Sequence, residues 1–160
     1  MSDVNDMNDM NGSTQQAPFD SPTSEFCLRM ARAWAALSRR LDSALGGHHG
    51  ISFADYQLLL SLQRAPGGKL RRVDLAEKLG LTASGVTRSL LPLEKIGLVA
   101  RQSDPRDARV GYAIITSTGS ELVTNASVVV HNVSRMLLGA PSREQVESTS
   151  TLLAQLAGGQ

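Results

Sequence analysis

From Glu25 onward, apolar residues recur at three- and four-residue steps: Phe26, Met30, Ala33/Trp34, Leu37, Leu41 and Leu45. That period lays one apolar stripe along a helix of roughly 20 residues, with Arg29, Arg32, Arg39 and Arg40 lying off it. The run Gly46-Gly47-His48-His49-Gly50 is expected to end it. Ser52-Phe53-Ala54-Asp55 then offers a side-chain cap with an acid three residues later, which opens a second helix through about Arg64. Ala65-Pro66-Gly67-Gly68 breaks the pattern. A short third helix is expected from about Val73 to Leu79, with Gly80 behind it. Thr82 caps a fourth carrying Val86, Leu90 and Leu93 and stopping at Gly97, a suitable left-handed residue.

The period then changes. Leu98 to Arg101 and Arg109 to Thr116 read as two short strands around the charged tip Asp104-Pro105-Arg106-Asp107, a β-hairpin. Thr118-Gly119-Ser120-Glu121 resembles a capping box leading into a long helix with Leu122, Ala126, Val129/Val130, Val133 and Leu137 on one side. Ser142 and Gln145 cap a last helix bearing Val146, Leu152/Leu153 and Leu156. By contrast, residues 1–24 are rich in Asn, Asp, Ser, Thr, Gln and Pro, too polar to offset their ordering entropy, and are expected to form a disordered tail. The fold class is mainly α with a small β-hairpin (α+β). A single domain spans 25–160.

Composition narrows the class. Hydrophobic residues make up 41% of the 160, enough for a core built from Leu, Val, Ile and Ala. The longest apolar runs fall far short of the ~20 residues that cross a bilayer. No basic start precedes an apolar stretch, so the chain is expected to be soluble and cytoplasmic, without membrane contact. The single cysteine, Cys27, excludes an internal disulfide and a multi-cysteine zinc site. The net charge of +1 conceals an asymmetry: residues 1–24 carry four Asp and no base, whereas residues 69–109 hold nine bases against five acids. Positive charge gathers where a polyanion would bind.

The third and fourth helices share a specific spacing: Leu75-Ala76, then Gly80-Leu81, then Val86. Small Ala76 permits close helix approach, Gly80 supplies the turn, and Val86 locks the second helix onto the first. These are the requirements of a helix-turn-helix. The second helix exposes Ser84, Thr87, Arg88 and Ser89, groups suited to base edges in the major groove. A charged hairpin directly downstream makes this a winged helix, its wing bringing Arg106 or Arg109 to a phosphate or a minor groove.

The run Leu81 to Val99, then Asp104-Pro-Arg-Asp-Ala-Arg109 and Ile115-Thr-Ser-Thr-Gly119, resembles the MarR (multiple antibiotic resistance regulator) family of bacterial transcription factors, from about residue 25 to the end. The resemblance implies a homodimeric regulator, a repressor of transcription, on a pseudo-palindromic operator. Its dimerisation helices would lie at about 25–46 and 118–157 and its DNA-binding lobe at about 52–116. It further implies that Asp107 orients Arg109 for the minor groove, that Ser84, Thr87 and Arg88 read bases, and that a small aromatic or phenolic acid releases the DNA. Two departures stand out. Ala108 replaces the first of two wing arginines found in many relatives, with Arg106 two residues upstream. Leu91 and Pro92 occupy places where polar residues are commoner, and Pro92 is expected to bend the helix near its C-terminal end.

Other residues with chemistry are fewer. Peroxide-sensing members of the family carry a reactive cysteine near the position of Cys27, supported by a tyrosine one turn later. Here that place is Ala31, so a small buried or half-buried thiol is the plainer reading, and a redox sensor through Cys27 the alternative. His48 and His49, with His131 in the long helix, are too scattered for a zinc site. They suit a helix end or the cleft that takes ligand. Trp34 falls on the core stripe. No nucleophile–base pair or phosphate-cradling loop points to an enzyme, and no cofactor or metal is expected. A winged helix that docks a protein instead of DNA is the other alternative.

Overall fold

The structure is a computed structural model and describes residues 21–107 and 110–158. The chain divides into two compact units, residues 1–36 and 37–160. The expected tail falls largely on residues 1–20, outside the described residues. Helix α1 (Pro22–His49) begins three residues before Glu25 and straddles the two units. In the first unit it carries an exposed Arg29–Glu25 pair at 2.7 Å, one turn apart. Its apolar stripe is only partly enclosed. Leu41 and Leu45 are buried, but Trp34 is 52% exposed and Cys27 is also exposed. The core place expected for Trp34 and the buried or half-buried thiol expected for Cys27 are therefore corrected.

Gly46 and Gly47 do not stop α1 as expected. They stay helical, and the chain turns only at Gly50, at φ 68°, in the left-handed region that a side chain resists. Asp42 Oδ1 then accepts from the Phe53 N–H at 2.7 Å, tying α1 to the start of α2 (Phe53–Gln63). The Ser52 cap forms as the spacing predicts: its hydroxyl accepts from the Asp55 N–H, and the Asp55 carboxylate accepts from the Ser52 N–H. Tyr56, Leu58, Leu59 and Leu62 of α2 are all buried, so this helix is the centre of the second unit.

After α2 comes a strand that the pattern does not show, β1 (Lys69–Arg71), running directly into α3 (Arg72–Leu79). Helix α4 (Ala83–Lys95) follows, then β2 (Val99–Ser103) and β3 (Gly111–Ile115). The sheet is antiparallel in the order β1-β3-β2, with Tyr112 opposite both Arg71 and Gln102. The hairpin's second strand, β3, is thus the central strand of a three-stranded sheet. Helix α5 (Ser117–Leu138) is capped by Thr116, not Thr118, and α6 (Arg143–Leu156) by the Ser142–Gln145 box. Thr116 wins because its hydroxyl has two tasks. It donates to the Gly97 carbonyl at 2.7 Å and accepts from the Gly119 N–H at 3.0 Å, closing the root of the hairpin.

One core joins Leu45, Tyr56, Leu59, Leu62, Leu75, Val86, Leu90, Leu93, Leu98, Ala113, Val123 and Ala126. Polar contacts align α5 on α2: Tyr56 and Ser127 hydroxyls lie 2.9 Å apart, and Gln63 Nε2 donates to Ser120 Oγ at 2.9 Å. Gly119, buried at the first turn of α5, lies so close to the Leu98 carbonyl oxygen that a Cβ would collide with backbone. Gly119→Ala is therefore expected to lower unfolding free energy by about 1–3 kcal/mol. Gly46→Ala, helical and with open space around the added Cβ, is expected to raise it by about 0.5–1 kcal/mol. Chemical denaturation of both variants checks this, and equal effects would refute the assigned contact.

Candidate nucleic-acid interface

Helices α3 and α4 meet through a turn whose geometry follows from Gly80. At φ 63° this residue takes the left-handed conformation, and the Leu81 N–H donates back to the Ala76 carbonyl at 2.9 Å. Thr82 then caps α4, its hydroxyl accepting from the Gly85 N–H at 3.1 Å. Ala76, Val86, Leu90 and Leu93 are buried. At 3.6 residues per turn, about 100° each, the three buried residues of α4 centre on one side of the helix. The opposite pole carries Ser84, Arg88, Leu91 and Lys95, all exposed. Thr87 lies to one flank, half-buried, with its hydroxyl donating to the Ala83 carbonyl at 3.0 Å. Ser89 lies toward the packed side, also half-buried, so the helix separates it from the other three. Pro92 sits inside α4, which continues to Lys95.

The neighbouring bases differ in what they are free to do. Arg71 is held by Asp74 through two contacts of 2.8 and 2.7 Å, and Arg101 by Glu94 at 2.7 Å. Arg72, Arg88 and Arg106 have no carboxylate partner among the described residues. Arg72 lies against Gly111, where its guanidinium fills the place a Cβ would need. With Arg71, Val73, Ala83, Ser84, Thr87 and Val110 it lines a groove of about 370 Å³ between α3, α4 and the hairpin. That groove joins α4 to the hairpin.

The wing tip is organised by Asp104, which pattern reading took only as a turn residue. Its Oδ1 accepts from the Arg106 N–H at 2.8 Å, and its Oδ2 accepts from the Tyr112 hydroxyl at 3.2 Å. Lys69 sits 4.0 Å over the Tyr112 ring and donates to Gln102 at 2.8 Å, joining all three strands. The Arg106 N–H bond, then the Tyr112 hydroxyl and the Lys69 charge, hold the Asp104 carboxyl below its ordinary value of 3.8. Partial burial of the ring, followed by the bond to Asp104, raises Tyr112 above 10.0. The only pattern-level signal for this group was a lone tyrosine in the hairpin's second strand. Arg106 and Asp107 are exposed at the tip. Arg109 lies outside the described residues, and with it the expected Asp107–Arg109 pairing.

The remaining candidates lie on α1. His48 and His49 occupy the last turn of α1. His48 is exposed, while His49 is half-buried with an Nε2 that meets no partner among the described residues. Cys27 lies in the first unit. No cluster of three or more metal-ligating side chains exists among the described residues, and none of their helices is long and apolar enough to cross a membrane.

A helix-turn-helix followed by a strand-braced wing defines a winged-helix protein. Known proteins place it further. A family model described as the MarR family matches residues 49–110, which contain the turn motif and wing. Sco3205 from Streptomyces coelicolor, a MarR family transcriptional regulator solved in complex with DNA, is 26% identical over 89% of this chain and 91% of its own, with a TM-score of 0.79. A cysteine-to-serine mutant of Escherichia coli MarR complexed with operator DNA matches at 20% identity, over 88% of this chain and 99% of that one, with a TM-score of 0.74. Bordetella bronchiseptica BpsR, regulated in its DNA binding by 6-hydroxynicotinic acid, matches at 17% over 83% and 98%, with a TM-score of 0.73. The latter two show likeness of fold alone. The resemblance to MarR family transcriptional regulators is thereby shown, as is the winged-helix fold class.

The Asp104–Tyr112 contact has a titration signature. With folded values shifted down for Asp104 and up for Tyr112, its stabilisation is present between about pH 4 and pH 10. It is lost as pH falls through the Asp104 value or rises through that of Tyr112. In a Tyr56→Phe background, where Tyr112 is the remaining tyrosine of the two, absorbance titration is expected to give a midpoint above 10.0. Asp104→Asn should bring it down. A midpoint at or below 10.0 would contradict the contact.

Proposed function

We propose that this protein is a sequence-specific DNA-binding transcriptional repressor. It acts in the cytoplasm as a homodimer on a pseudo-palindromic operator and is released by a small aromatic or phenolic acid. The observation that carries the reading is the exposed pole of α4: Ser84 and Arg88 face outward, Arg72 lines the adjoining groove and Arg106 stands at the hairpin tip, and none of these arginines has a carboxylate partner among the described residues. Arginines free of carboxylates are available to phosphates and guanine edges, whereas Arg71 and Arg101 are already neutralised. In this reading Ser84, Thr87 and Arg88 read bases, with Ser89 at the margin. Arg106, Asp107 and Arg109 form the wing contact, and Arg72 takes a phosphate in the groove. The lobe at about 52–116 holds this interface.

The dimer is supported by surfaces a monomer leaves bare. None of the 14 residues of α6 is buried, although Val146, Leu152, Leu153 and Leu156 are apolar. An isolated helix of that length is marginal in water, so its order calls for a cover. A second copy supplies one and sets two reading helices roughly one DNA turn, ~34 Å, apart. For the acid we assign His49, whose buried Nε2 meets no partner among the described residues, with His48 beside it. A ligand there acts by binding one arrangement of the two lobes better than another. Cys27 is exposed, and one turn on stands Ala31, which brings no hydroxyl to support a reactive thiol.

Selection of bound duplexes from a random library, followed by a salt titration, tests the reading. Log affinity should fall linearly with log salt. Arg88→Ala is expected to weaken binding by about 1–3 kcal/mol per half-site and relax base preference. Arg106→Ala and Arg109→Ala should weaken binding evenly across sequences and reduce the salt slope by about 2 per dimer. Binding to a protein partner with no duplex affinity at low salt would instead favour the docking-module alternative. Leu153→Asp is expected to yield monomers in analytical ultracentrifugation and to abolish cooperative operator binding. An unchanged dimer would remove α6 from the interface.

A further inference from the structure

One residue on the reading face does not fit polar recognition. Leu91 is 51% exposed, although Leu90 beside it and Leu93 two residues on are fully enclosed. Seven residues from Ser84 and three from Arg88, it lies within about 45° of the pole opposite the buried side. Pro92, also exposed, extends the apolar surface beside it and brings no backbone N–H. A leucine at this place donates and accepts nothing. Within a major groove the one apolar feature offered by a base edge is the C5-methyl group of thymine. A protein partner covering Leu91 would also cover Ser84 and Arg88, because the three share one face, and so would block the groove.

We propose that Leu91 is a specificity-determining residue that packs against a thymine methyl in each operator half-site. This rests on the DNA-reading function proposed above. The neighbouring polar groups fix the helix in the groove, and Leu91 adds preference for T·A at a pair one to two helical turns of α4 beyond the one nearest Ser84. Its contribution is apolar burial, so it changes sequence choice without changing the number of phosphate contacts. The salt slope is therefore indifferent to it.

The experiment uses the full chain and the duplex it selects from random DNA. Each thymine is replaced singly in both half-sites by deoxyuridine, which lacks only the methyl. For the unaltered protein, one thymine per half-site is expected to weaken binding about three- to fivefold on losing its methyl, the scale of one buried methyl-sized group. Leu91→Ala should bind the thymine and uracil duplexes equally, with an unchanged salt slope and melting temperature, and Leu91→Met should restore the preference. If the protein selects a duplex but Leu91→Ala keeps the full thymine-over-uracil preference, or no thymine shows one, the assignment of Leu91 is overturned and the regulator reading stands. If no duplex of any sequence is bound, both fall.

Discussion

Enclosure of Val86, Leu90 and Leu93 decides what the rest of α4 presents. Burying three such side chains is worth roughly 5–9 kcal/mol in all, on the scale of a whole domain's stability. Rolling the helix by half a turn would expose them and drive Arg88 and Lys95 into an apolar core. That alternative is closed, so Ser84, Arg88 and Leu91 point outward of necessity. The left-handed Gly80 and the Thr82 cap fix where the helix begins; the core fixes its rotation.

The wing depends on a different balance. Its apolar anchor is slight: among the described residues of β2 and β3, Val99 and Ala113 are buried while the rest are exposed or half-buried. Order at the tip comes from polar contacts instead, with Asp104 gathering the Arg106 backbone and the Tyr112 hydroxyl while Lys69 spans from β1. These contacts are individually weak and exposed to solvent. The hairpin is thus held at its tip by polar contacts and closed at its root by Thr116 and Gly119.

Much of this was legible in the pattern of residues, for a definable reason. Caps and turns are local: Ser52–Asp55, Gly80, Thr82 and Ser142–Gln145 act through neighbours within four positions. Helix α4 was legible because its buried and exposed sides repeat at helical period. Strand β1 was not, since three residues between two glycines and a helix show no alternation. The Asp104–Tyr112–Lys69 group escaped because it forms across strands, from residues up to 43 positions apart. Thr118 was mistaken for the cap of α5 because the true one, Thr116, is chosen by a carbonyl contributed from Gly97. The exposure of Trp34 and Cys27 marks a further boundary: periodicity reveals an apolar face without revealing what covers it.

The central claim is that the outward pole of α4 enters the major groove of duplex DNA. Methylation interference at guanine N7 tests it most directly, because that atom projects only into the major groove. On the duplex the protein selects, methylation is expected to block binding at two clusters about one helical turn, ~34 Å, apart. Full binding to duplexes methylated at every guanine within the protected site would contradict it.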